Sequence, residues 1–330
     1  MSPLPPVHLP LSEDEAEAAF GAMLDGKHSD EEVAGFLNAL SDRDETASEI
    51  TGAARAMRAR LIPIAAPANA IDVCGTGGDG QHTLNVSTAV ALVVAACGVP
   101  VAKHGNRAAS SKAGAADTLE ALGLNLSRCA ETAESTLADI GICFLFAGNH
   151  HPGMARITPI RKALGRRTIF NLMGPLANPA RVSRQLLGIA RPDFVLTYAG
   201  ALARLGTEHS MVVSGDEGLD ELSLDGGNTV ARIEGQGLTM ERIYAGDAGL
   251  ANAPIGDLRG GDAVYNGAAL RRLLLGEKGA YRDAVLFNSA AALMVAGEVS
   301  DLRDGVEEAA EVIDKGLANT LLDCWIAATG

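Results

Sequence analysis

IDVCGTGGDGQHTLNVST, residues 71–88, runs from a short apolar stretch into a cluster of glycines and then into a polar segment. Gly75, Gly77 and Gly80 have the G-x-G-x-x-G spacing of many dinucleotide-binding loops. The apolar stretch at 70–74 predicts a buried strand, and residues 87–98 predict a helix that ends at Gly98. A strand, a glycine-rich loop and a helix in this order predict an α/β fold, and such a loop is suited to a phosphorylated ligand at the helix N-terminus.

Strands and helices continue to alternate after this segment. We expect strands at 99–103, 142–147 and 210–215, helices at 110–123 and 193–206, a strand-rich excursion over 222–244 that begins with LSLD, and terminal helices from Gly267. This pattern predicts an α/β fold, with a mainly parallel central sheet and flanking helices in a large domain.

A small all-helical domain is predicted ahead of the glycine loop. Capping boxes begin at Ser12, Ser29 and Thr46, and each places a glutamate three residues after the hydroxyl. Residues 12–61 therefore predict a helical unit, and the segment PIAAPAN at 63–69 predicts a linker because it holds two prolines.

Composition and charge exclude several classes of protein. The 330 residues are 47% hydrophobic and 21% charged, and the net charge is −14. A globular fold is expected, whereas nucleic acid and anionic membranes would be repelled. We expect no membrane partner and a cytoplasmic location, since neither a signal peptide nor a membrane span is recognisable.

The glycine loop does not match either common nucleotide motif. The second predicted strand ends in Lys103, where a dinucleotide fold would have an acid, and no Lys-Ser/Thr pair closes the glycines as in a P-loop. Asp79 within the loop would repel a bare pyrophosphate unless a metal ion lay between them. A phosphorylated ligand and a purely structural glycine turn both remain open.

A local anion site is indicated at KHGNRAASSK, residues 103–112. Lys103, Arg107 and Lys112 occur there with no acid before Asp117, although the protein is acidic elsewhere. The segment follows a predicted strand, and ligands of α/β folds bind at the carboxyl ends of strands. A solvated run of charges is the alternative interpretation.

Together these segments resemble the anthranilate phosphoribosyltransferases of the nucleoside phosphorylase-transferase superfamily. The resemblance is carried by GTGGDG (75–80), NVST (85–88), KHGNRAASSKAGAADTLEALG (103–123), HHPGMARITPIRKALGRRTIFNLMGPLANP (150–179) and GLDELSLDG (218–226). It implies transfer of phosphoribose from 5-phosphoribosyl pyrophosphate (PRPP) to the amino group of anthranilate, in tryptophan biosynthesis. It also implies a homodimer that forms through the helical domain, and a helical domain of residues 1–68 plus roughly 159–183, with 69–158 and 184–330 forming the large domain.

The resemblance also implies the residues of the site. The implied PRPP site comprises Gly75, Gly78, Asp79, Thr83, Asn85, Val86, Ser87, Thr88, Lys103, His104, Gly105, Asn106, Arg107, Ala108, Ala109, Ser110, Ser111 and Ala115. The implied anthranilate site comprises Gly75, Asn106, His151, Arg161 and Gly174, and the implied catalytic residues are Lys103, Asn106 and Arg161. Two magnesium ions are implied, one held by Ser87 and Glu221, the other by Asp220 and Glu221.

The residues themselves agree with a magnesium site, although they leave alternatives open. The segment GDEGLDELSLD, 215–225, has five carboxylates in eleven residues, and hard oxygen ligands suit magnesium carried in on a diphosphate. A solvated acidic loop is the other interpretation of this segment alone. Two alternative functions are a pyrimidine nucleoside phosphorylase, which would have a KHSTGG-like segment at KHGNRA, and a paralogue of the same fold that binds nucleic acid.

Two positions depart from the pattern of the family. Gly148 stands where a proline is common, and Ala155 and Arg156 stand where the family commonly has a basic residue followed by histidine. Both changes fall near the implied anthranilate site. Arg156 is therefore a second candidate, beside Arg161, for the partner of the substrate carboxylate.

Overall fold

The computed structural model describes residues 3–108 and 112–330, so that the predicted site residues Ala109, Ser110 and Ser111 lie outside the described part. Seven strands form one sheet: β1 Ile71–Gly75, β2 Val101–Gly105, β3 Ile142–Phe146, β4 Arg184–Gly188, β5 His209–Gly215, β6 Gly227–Glu234 and β7 Gly237–Tyr244. Their order is β3-β2-β1-β4-β5-β6-β7. β1 to β5 pair in parallel, whereas β6 and β7 add an antiparallel edge. The predicted mainly parallel sheet is confirmed.

Helices flank the sheet and form a separate helical domain. They are α1 Glu13–Leu24, α2 Asp30–Ser41, α3 Ala47–Arg58, α4 Val86–Ala96, α5 Ala115–Ala121, α6 Cys129–Ile140, α7 Ala147–His150, α8 Met154–Leu164, α9 Phe170–Leu176, α10 Val195–Arg204, α11 Ala263–Leu274, α12 Ala280–Ala296, α13 Leu302–Asp314 and α14 Leu317–Thr329. No helix in the described ranges is both long and apolar enough to cross a membrane.

The N-terminal helical domain forms as the capping boxes predict. In α1, α2 and α3 the cap hydroxyl accepts from the third backbone N–H of the helix, and the glutamate at that position accepts from the cap residue's N–H. Phe20 of α1 packs edge-on against Phe36 of α2 and Phe170 of α9, with ring centroids 5.8 and 5.7 Å apart. Helix α9 thus joins the first two helices, although it lies far from them in sequence.

The sheet is buried on both faces. Along β5 the side chains of Met211 and Val213 join the core formed with α4, α12, α13 and α14, whereas Val212 between them joins the core formed with the helical domain and α10. This alternation follows from the two-residue period of a strand. Because helices cover both faces, the exposed end of the sheet, where the parallel strands finish, is left for a binding site.

The structure corrects three sequence predictions. LSLD, residues 222–225, is not a strand, because the N–H groups of Leu222 and Ser223 donate to the side-chain oxygens of Asn288 and Asn228, at 2.8 and 2.7 Å, rather than to a neighbouring strand. The second strand, predicted at 99–103, begins and ends two residues later, at Val101 and Gly105. Helix α11 begins before residue 267, at Ala263, because Asp262 caps it by accepting from the N–H of Tyr265.

Candidate active site

The carboxyl ends of the parallel strands meet at one edge of the sheet. Gly75 of β1 is in register with Gly188 of β4, and Gly105 of β2 is in register with Phe146 of β3. The loop that follows β5 folds back over this edge and brings Asp220 against the ends of β1 and β4, so that a Cβ on Gly75 or Gly188 would overlap its atoms. The two glycines therefore allow an acidic loop to lie directly on the strand ends.

The glycine loop after β1 forms a turn that is held in place by side chains from two other segments. Gly77, Gly78 and Gly80 all have positive φ angles, of 68°, 75° and 74°. The N–H of Gly77 donates to Asp220 Oδ2 at 2.6 Å, and the guanidinium of Arg167 donates to the carbonyl oxygen of Gly78 at 3.2 Å. The loop is thus held both by the acidic loop that follows β5 and by the segment between α8 and α9.

Helix α4 begins beside the acidic loop. The backbone N–H of Ser87 donates to Glu221 Oε1 at 3.1 Å, which places a carboxylate at the helix N-terminus. The N-cap residue Asn85 does not cap the helix with its side chain. Its Oδ1 accepts instead from Thr118 and Asn266, at 2.7 and 2.9 Å, and these bonds fix the start of the helix against α5 and α11.

The other predicted PRPP-site residues near the start of α4 each have their own contacts within the protein. Val86 and Thr88 are buried in the first turn, and Thr88 Oγ1 has no hydrogen-bond partner among the described residues. Thr83 forms an isolated bridge with Arg259. The side chain of Asp79 accepts from the N–H of Gln81 at 3.1 Å. Asp79 and Thr83 lie on the segment between β1 and α4, whereas Val86 and Thr88 belong to α4 itself.

Asp220 and Glu221 form an acidic pair that is half-buried at the strand ends. Burial is the largest cause that raises the pKa of each carboxyl above its usual range. The negative charge of Asp79 also raises the pKa of Asp220, and that of Asp220 raises the pKa of Glu221. Carboxylates held together in this way favour a bound cation.

Lys103 is a buried cation whose charge acts on this pair of carboxylates. Only 2% of its surface is exposed, and its Nζ donates to the carbonyl oxygen of Val73 at 2.8 Å and to Ser87 Oγ at 3.4 Å. Its charge lowers the pKa of both Glu221 and Asp72, although burial outweighs it in each case. The ammonium group therefore sits between two carboxylates beneath the glycine loop.

The donor set fits magnesium only if a substrate supplies further ligands. Within residues 3–108 and 112–330, no group of three or more histidine, cysteine, aspartate or glutamate side chains is arranged to hold a metal ion alone. Asp220, Glu221 and the hydroxyl of Ser87 offer oxygen atoms at the strand ends. Magnesium is commonly bound by one or two carboxylates together with substrate phosphates, and these residues suit that arrangement.

His104 connects β2 to helix α9 and to His151. Its Nδ1 lies 2.9 Å from the carbonyl oxygen of Gly174, and its Nε2 lies 3.2 Å from His151 Nε2. The carbonyl can only accept, so His104 carries its proton on Nδ1 and receives a hydrogen bond from His151. Burial lowers the pKa of His104 to about 3 and that of His151 to about 4, and both rings are neutral near pH 7.

The KHGN segment turns away from the sheet after Gly105. The side-chain oxygen of Asn106 accepts from the N–H of Arg107 at 2.8 Å. The guanidinium of Arg107 pairs with Asp117 and Glu120 of α5, at 2.9 and 2.8 Å, and the N–H of Ala108 also donates to Asp117. Ala115 is the first residue of α5. The positive charge of Arg107 is therefore already balanced by carboxylates. The sequence analysis did not predict this pairing.

The two arginines considered for the substrate carboxylate differ in their surroundings. Arg156 donates to the carbonyl oxygen of His28 at 2.6 Å and pairs with Asp30 at 3.0 Å, so it ties α8 to the start of α2. Arg161 lies one turn and a half further along α8, and its guanidinium has no hydrogen bond or ion pair with any described residue. Burial lowers its pKa. Arg161 is the cation that remains available.

Sequence reasoning missed a buried polar cluster under the site. Asp72 on β1 is completely buried and accepts from the N–H of His104 at 3.1 Å, from Asn178 Nδ2 at 2.8 Å and from Cys74 Sγ at 3.3 Å. It therefore holds the ends of β1 and β2 and the segment after α9 together. An acid inside the buried strand IDVC is the sequence signal that could have indicated it.

Fold and site together define a glycosyltransferase with a helical bundle domain. The profile of the family described as "Glycosyl transferase family, a/b domain" matches residues 67–319, and "Glycosyl transferase family, helical bundle domain" matches residues 8–61. The two matches correspond to the large α/β domain and to the N-terminal helices.

Comparison with individual proteins and solved structures identifies the family more narrowly. The chain is 72% identical to an anthranilate phosphoribosyltransferase of Novosphingobium aromaticivorans over 99% of both chains. It superposes with a TM-score of 0.91 on the crystal structure of the Thermus thermophilus enzyme, at 43% identity over 98% of this chain and 97% of that one. The Saccharomyces cerevisiae enzyme, 29% identical over 97% and 93% of the chains, superposes at 0.89 in complex with PRPP and Mg and at 0.86 in complex with 4-fluoroanthranilate. The chain belongs to the anthranilate phosphoribosyltransferase family of pentosyltransferases in tryptophan biosynthesis.

Proposed function

We propose that the strand-end site of this chain binds PRPP with magnesium and transfers its phosphoribosyl group to the amino group of anthranilate, giving N-(5-phosphoribosyl)anthranilate and pyrophosphate. The observation that carries the proposal is the pair of carboxylates held against the glycine loop and α4, through Gly77 N–H to Asp220 and Ser87 N–H to Glu221. The yeast relative solved with PRPP and Mg supports the choice of ligand.

The donor site is proposed to hold the diphosphate between backbone amides and metal ions. Asp220, Glu221 and Ser87 would supply oxygen ligands. Two ions are proposed, as the resemblance to the family implies, one held by Ser87 and Glu221 and the other by Asp220 and Glu221. When bound, magnesium neutralises charge on the departing pyrophosphate. The amides of the glycine loop and the N-terminus of α4 face the same anion.

The residues of the chain are proposed to act by electrostatics and positioning. Breaking the bond from ribose C1 to the pyrophosphate oxygen leaves positive charge on the sugar and negative charge on the leaving group. Lys103 offsets the carboxylates beneath the loop, so the region facing the diphosphate is less negative than its acids alone would make it. An aryl amine is unprotonated near neutral pH, and the nucleophile therefore needs no strong general base.

The acceptor site is proposed to lie between α8, α9 and the KHGN segment. Arg161 would bind the carboxylate of anthranilate, since it is half-buried and no described residue pairs with it. His151, Asn106 and Gly174 would orient the aromatic ring, and the neutral pair of His104 and His151 holds α9 beside β2. The relative in complex with 4-fluoroanthranilate supports this class of acceptor.

A fluorescence assay tests the reaction directly. The purified chain should form fluorescent phosphoribosylanthranilate from PRPP and anthranilate only when magnesium is present, and EDTA should stop the reaction. Nucleoside phosphorolysis and duplex binding are the controls for the two alternative functions. Product formation absent at any magnesium concentration, or efficient phosphorolysis instead, would contradict the proposal.

The double variant Asp220→Asn with Glu221→Gln tests the metal site. Both replacements are nearly isosteric, and they remove two half-buried like charges. We therefore expect loss of turnover by at least about a hundred-fold with an unchanged or higher melting temperature. Asp216→Asn is the matched control, because Asp216 lies on the same loop but pairs with Arg242 at the surface. Wild-type activity and magnesium dependence in the double variant would contradict the assignment.

The assembly and location follow as further proposals. We propose a homodimer that forms through the helical domain, a helical domain of residues 1–68 and roughly 159–183, and a cytoplasmic enzyme without nucleic-acid or membrane partners. The packing of Phe170 on Phe20 supports the grouping of α9 with the N-terminal helices. Light scattering of the full chain at increasing concentration tests the dimer.

A further inference from the structure

A second cluster of cations lies outside the strand-end site. Arg55 and Arg58 near the end of α3, Arg204 at the end of α10, and Arg181 between α9 and β4 line a cavity of about 510 Å³, together with Ala59, Leu205 and Gly206. None of these arginines belongs to the site described above. Four guanidinium groups around one cavity are unexpected in a chain whose net charge is −14.

Few carboxylates balance these arginines. Glu13 of α1 pairs with both Arg55 and Arg204, at 2.8 and 2.9 Å. Neither Arg58 nor Arg181 forms an ion pair with any residue in the described part of the chain. The cavity therefore has four positive groups and one negative group within ion-pair distance of them.

Arg58 shows the electrostatic cost of this arrangement. Burial and the neighbouring charge of Arg181 lower the pKa of Arg58 to about 10. Its Nε donates to the carbonyl oxygen of Leu176 at 2.6 Å, and its Nη1 donates to that of Leu205 at 3.3 Å. These bonds satisfy carbonyl groups at the C-terminal ends of α9 and α10, and they give the buried guanidinium of Arg58 a structural role. They give no reason for the position of Arg181, whose positive charge lies near that of Arg58.

Arg181 is held in place by its backbone. Its φ is +51°, and its N–H donates to the carbonyl oxygen of Asn178 at 2.9 Å, in the turn that leads into β4. A non-glycine residue in this conformation is uncommon. Here the turn carries an exposed arginine to the rim of the cavity.

We propose that this arginine-lined cavity is a second anion site, which binds an oxyanion with at least two negative charges, such as inorganic phosphate or pyrophosphate. Guanidinium groups match the geometry of phosphate oxygens and can donate two hydrogen bonds each. An anion here joins α3, α10 and the α9–β4 turn, and it relieves the repulsion between Arg58 and Arg181. The site is separate from the magnesium site and needs no metal ion.

Calorimetry of the full chain with inorganic pyrophosphate in EDTA tests the proposal. Without magnesium, the carboxylates of the strand-end site disfavour the anion, so binding at the arginine cavity is measured. Arg181→Gln removes a charge without changing the backbone preference greatly, and Arg55→Gln is an independent second variant. We expect each to weaken binding roughly ten-fold or more, and wild-type binding to weaken as salt is raised. A parallel titration with inorganic phosphate at equal ionic strength shows which anion is preferred.

The control is Arg272→Gln, which removes an exposed arginine of α11 that pairs with Glu277. It should bind pyrophosphate like the wild type, and all three variants should keep the PRPP-dependent activity. The proposal is overturned if the wild type gives no saturable binding, or if Arg181→Gln and Arg55→Gln bind as tightly as Arg272→Gln. A change in the oligomeric state of Arg181→Gln with unchanged pyrophosphate binding would assign the arginines to a contact between copies instead, and would also overturn it.

Discussion

The side-chain Nζ of Lys103 lies 2.8 Å from the main-chain carbonyl oxygen of Val73, so that this buried ammonium group joins the adjacent strands β2 and β1 just before both end. The same Nζ is 3.4 Å from Ser87 Oγ, and its charge acts on Glu221. Sequence reasoning expected Lys103 to face phosphate. The structure adds that the lysine is almost fully buried. We therefore expect its effect on a bound diphosphate to be exerted through the acidic residues as well.

Replacement of Lys103 by methionine should therefore affect both PRPP binding and stability. Loss of the charge leaves Asp72 and Glu221 unbalanced, and the free energy of unfolding should fall by about 3 kcal/mol. The KM for PRPP should rise at least about ten-fold while that for anthranilate changes little, since the ammonium has no acceptor role. Steady-state kinetics and urea unfolding measure the two effects.

Lys315→Met provides the control for this prediction. Lys315 is an exposed residue at the end of α13 and pairs with Glu311. Its replacement should alter neither KM value. An equal rise of both KM values in Lys103→Met would show that the lysine supports the fold rather than the donor site.

Gly188 should tolerate no side chain. A Cβ there would overlap the carbonyl oxygen of Asp220, which cannot retreat without moving the acidic loop off the strand ends. A displacement of about 1 Å at a positioned group can cost about a hundred-fold in rate. We expect Gly188→Ala to lower kcat/KM by at least about that factor and to weaken the dependence on magnesium.

Gly35→Ala is the matched substitution. Gly35 lies within α2 and has open space around the position of a Cβ, so alanine there should raise stability by up to about 1 kcal/mol and leave activity unchanged. If Gly188→Ala were as active as Gly35→Ala, the acidic loop would not depend on close approach to β4.

Gly188 also illustrates what sequence reasoning could not find. Its strand, β4, was not predicted, because RQLLG is five residues long and begins with two polar residues, which gives neither an alternating pattern nor an apolar run. Yet β4 lies between β1 and β5 at the centre of the sheet. Strand order depends on contacts between distant segments, and local periodicity carries no information about them.

The glycine loop and the acidic loop can be recognised in the sequence for a physical reason. Close approach and positive φ angles require glycine, and the need for oxygen ligands requires carboxylates, so both requirements are visible as residue types. Asp72 and Asn178 act through their burial and mutual hydrogen bonds. Because burial is a property of the fold, a single aspartate in an apolar strand gave only a weak signal.

The buried histidine pair predicts how stability depends on pH. The folded-state pKa values of His104 and His151, about 3 and about 4, lie below the unfolded value of about 6.5. Between these values the unfolded chain binds more protons than the folded one, so stability is lost as the pH falls below about 6.5. Each histidine should contribute a slope of up to about 1.4 kcal/mol per pH unit until its folded pKa is reached.

Urea unfolding of His151→Gln between about pH 7 and about pH 4.5 measures this contribution. Glutamine can still donate to His104 Nε2, but it does not titrate, so the slope should fall by up to about 1.4 kcal/mol per pH unit. His8→Gln, at an exposed histidine, is the control and should leave the slope as it is. Equal slopes in wild type and His151→Gln would contradict the prediction that His151 is neutral in the folded protein.

The surroundings of Arg161 and Arg156 predict different effects of their replacement on the KM for anthranilate. A charge-assisted contact is worth about 1.5–3 kcal/mol, so Arg161→Ala should raise the KM for anthranilate roughly ten- to a hundred-fold and barely change that for PRPP. Arg156→Ala should leave both KM values unchanged, because its guanidinium is already bound to His28 and Asp30. Arg156→Ala should lower the free energy of unfolding by less than about 1 kcal/mol, since the ion pair with Asp30 is exposed.

Aniline, which lacks the carboxylate, separates recognition of that group from general damage to the site. Turnover of aniline should be the same in Arg161→Ala and the wild type, because the guanidinium has no partner on this acceptor. If Arg156→Ala instead showed the defect specific to anthranilate and Arg161→Ala showed none, Arg156 would have to leave its contacts with α2 when substrate binds. The acceptor site would then be formed by a movement of α8 relative to the N-terminal helices.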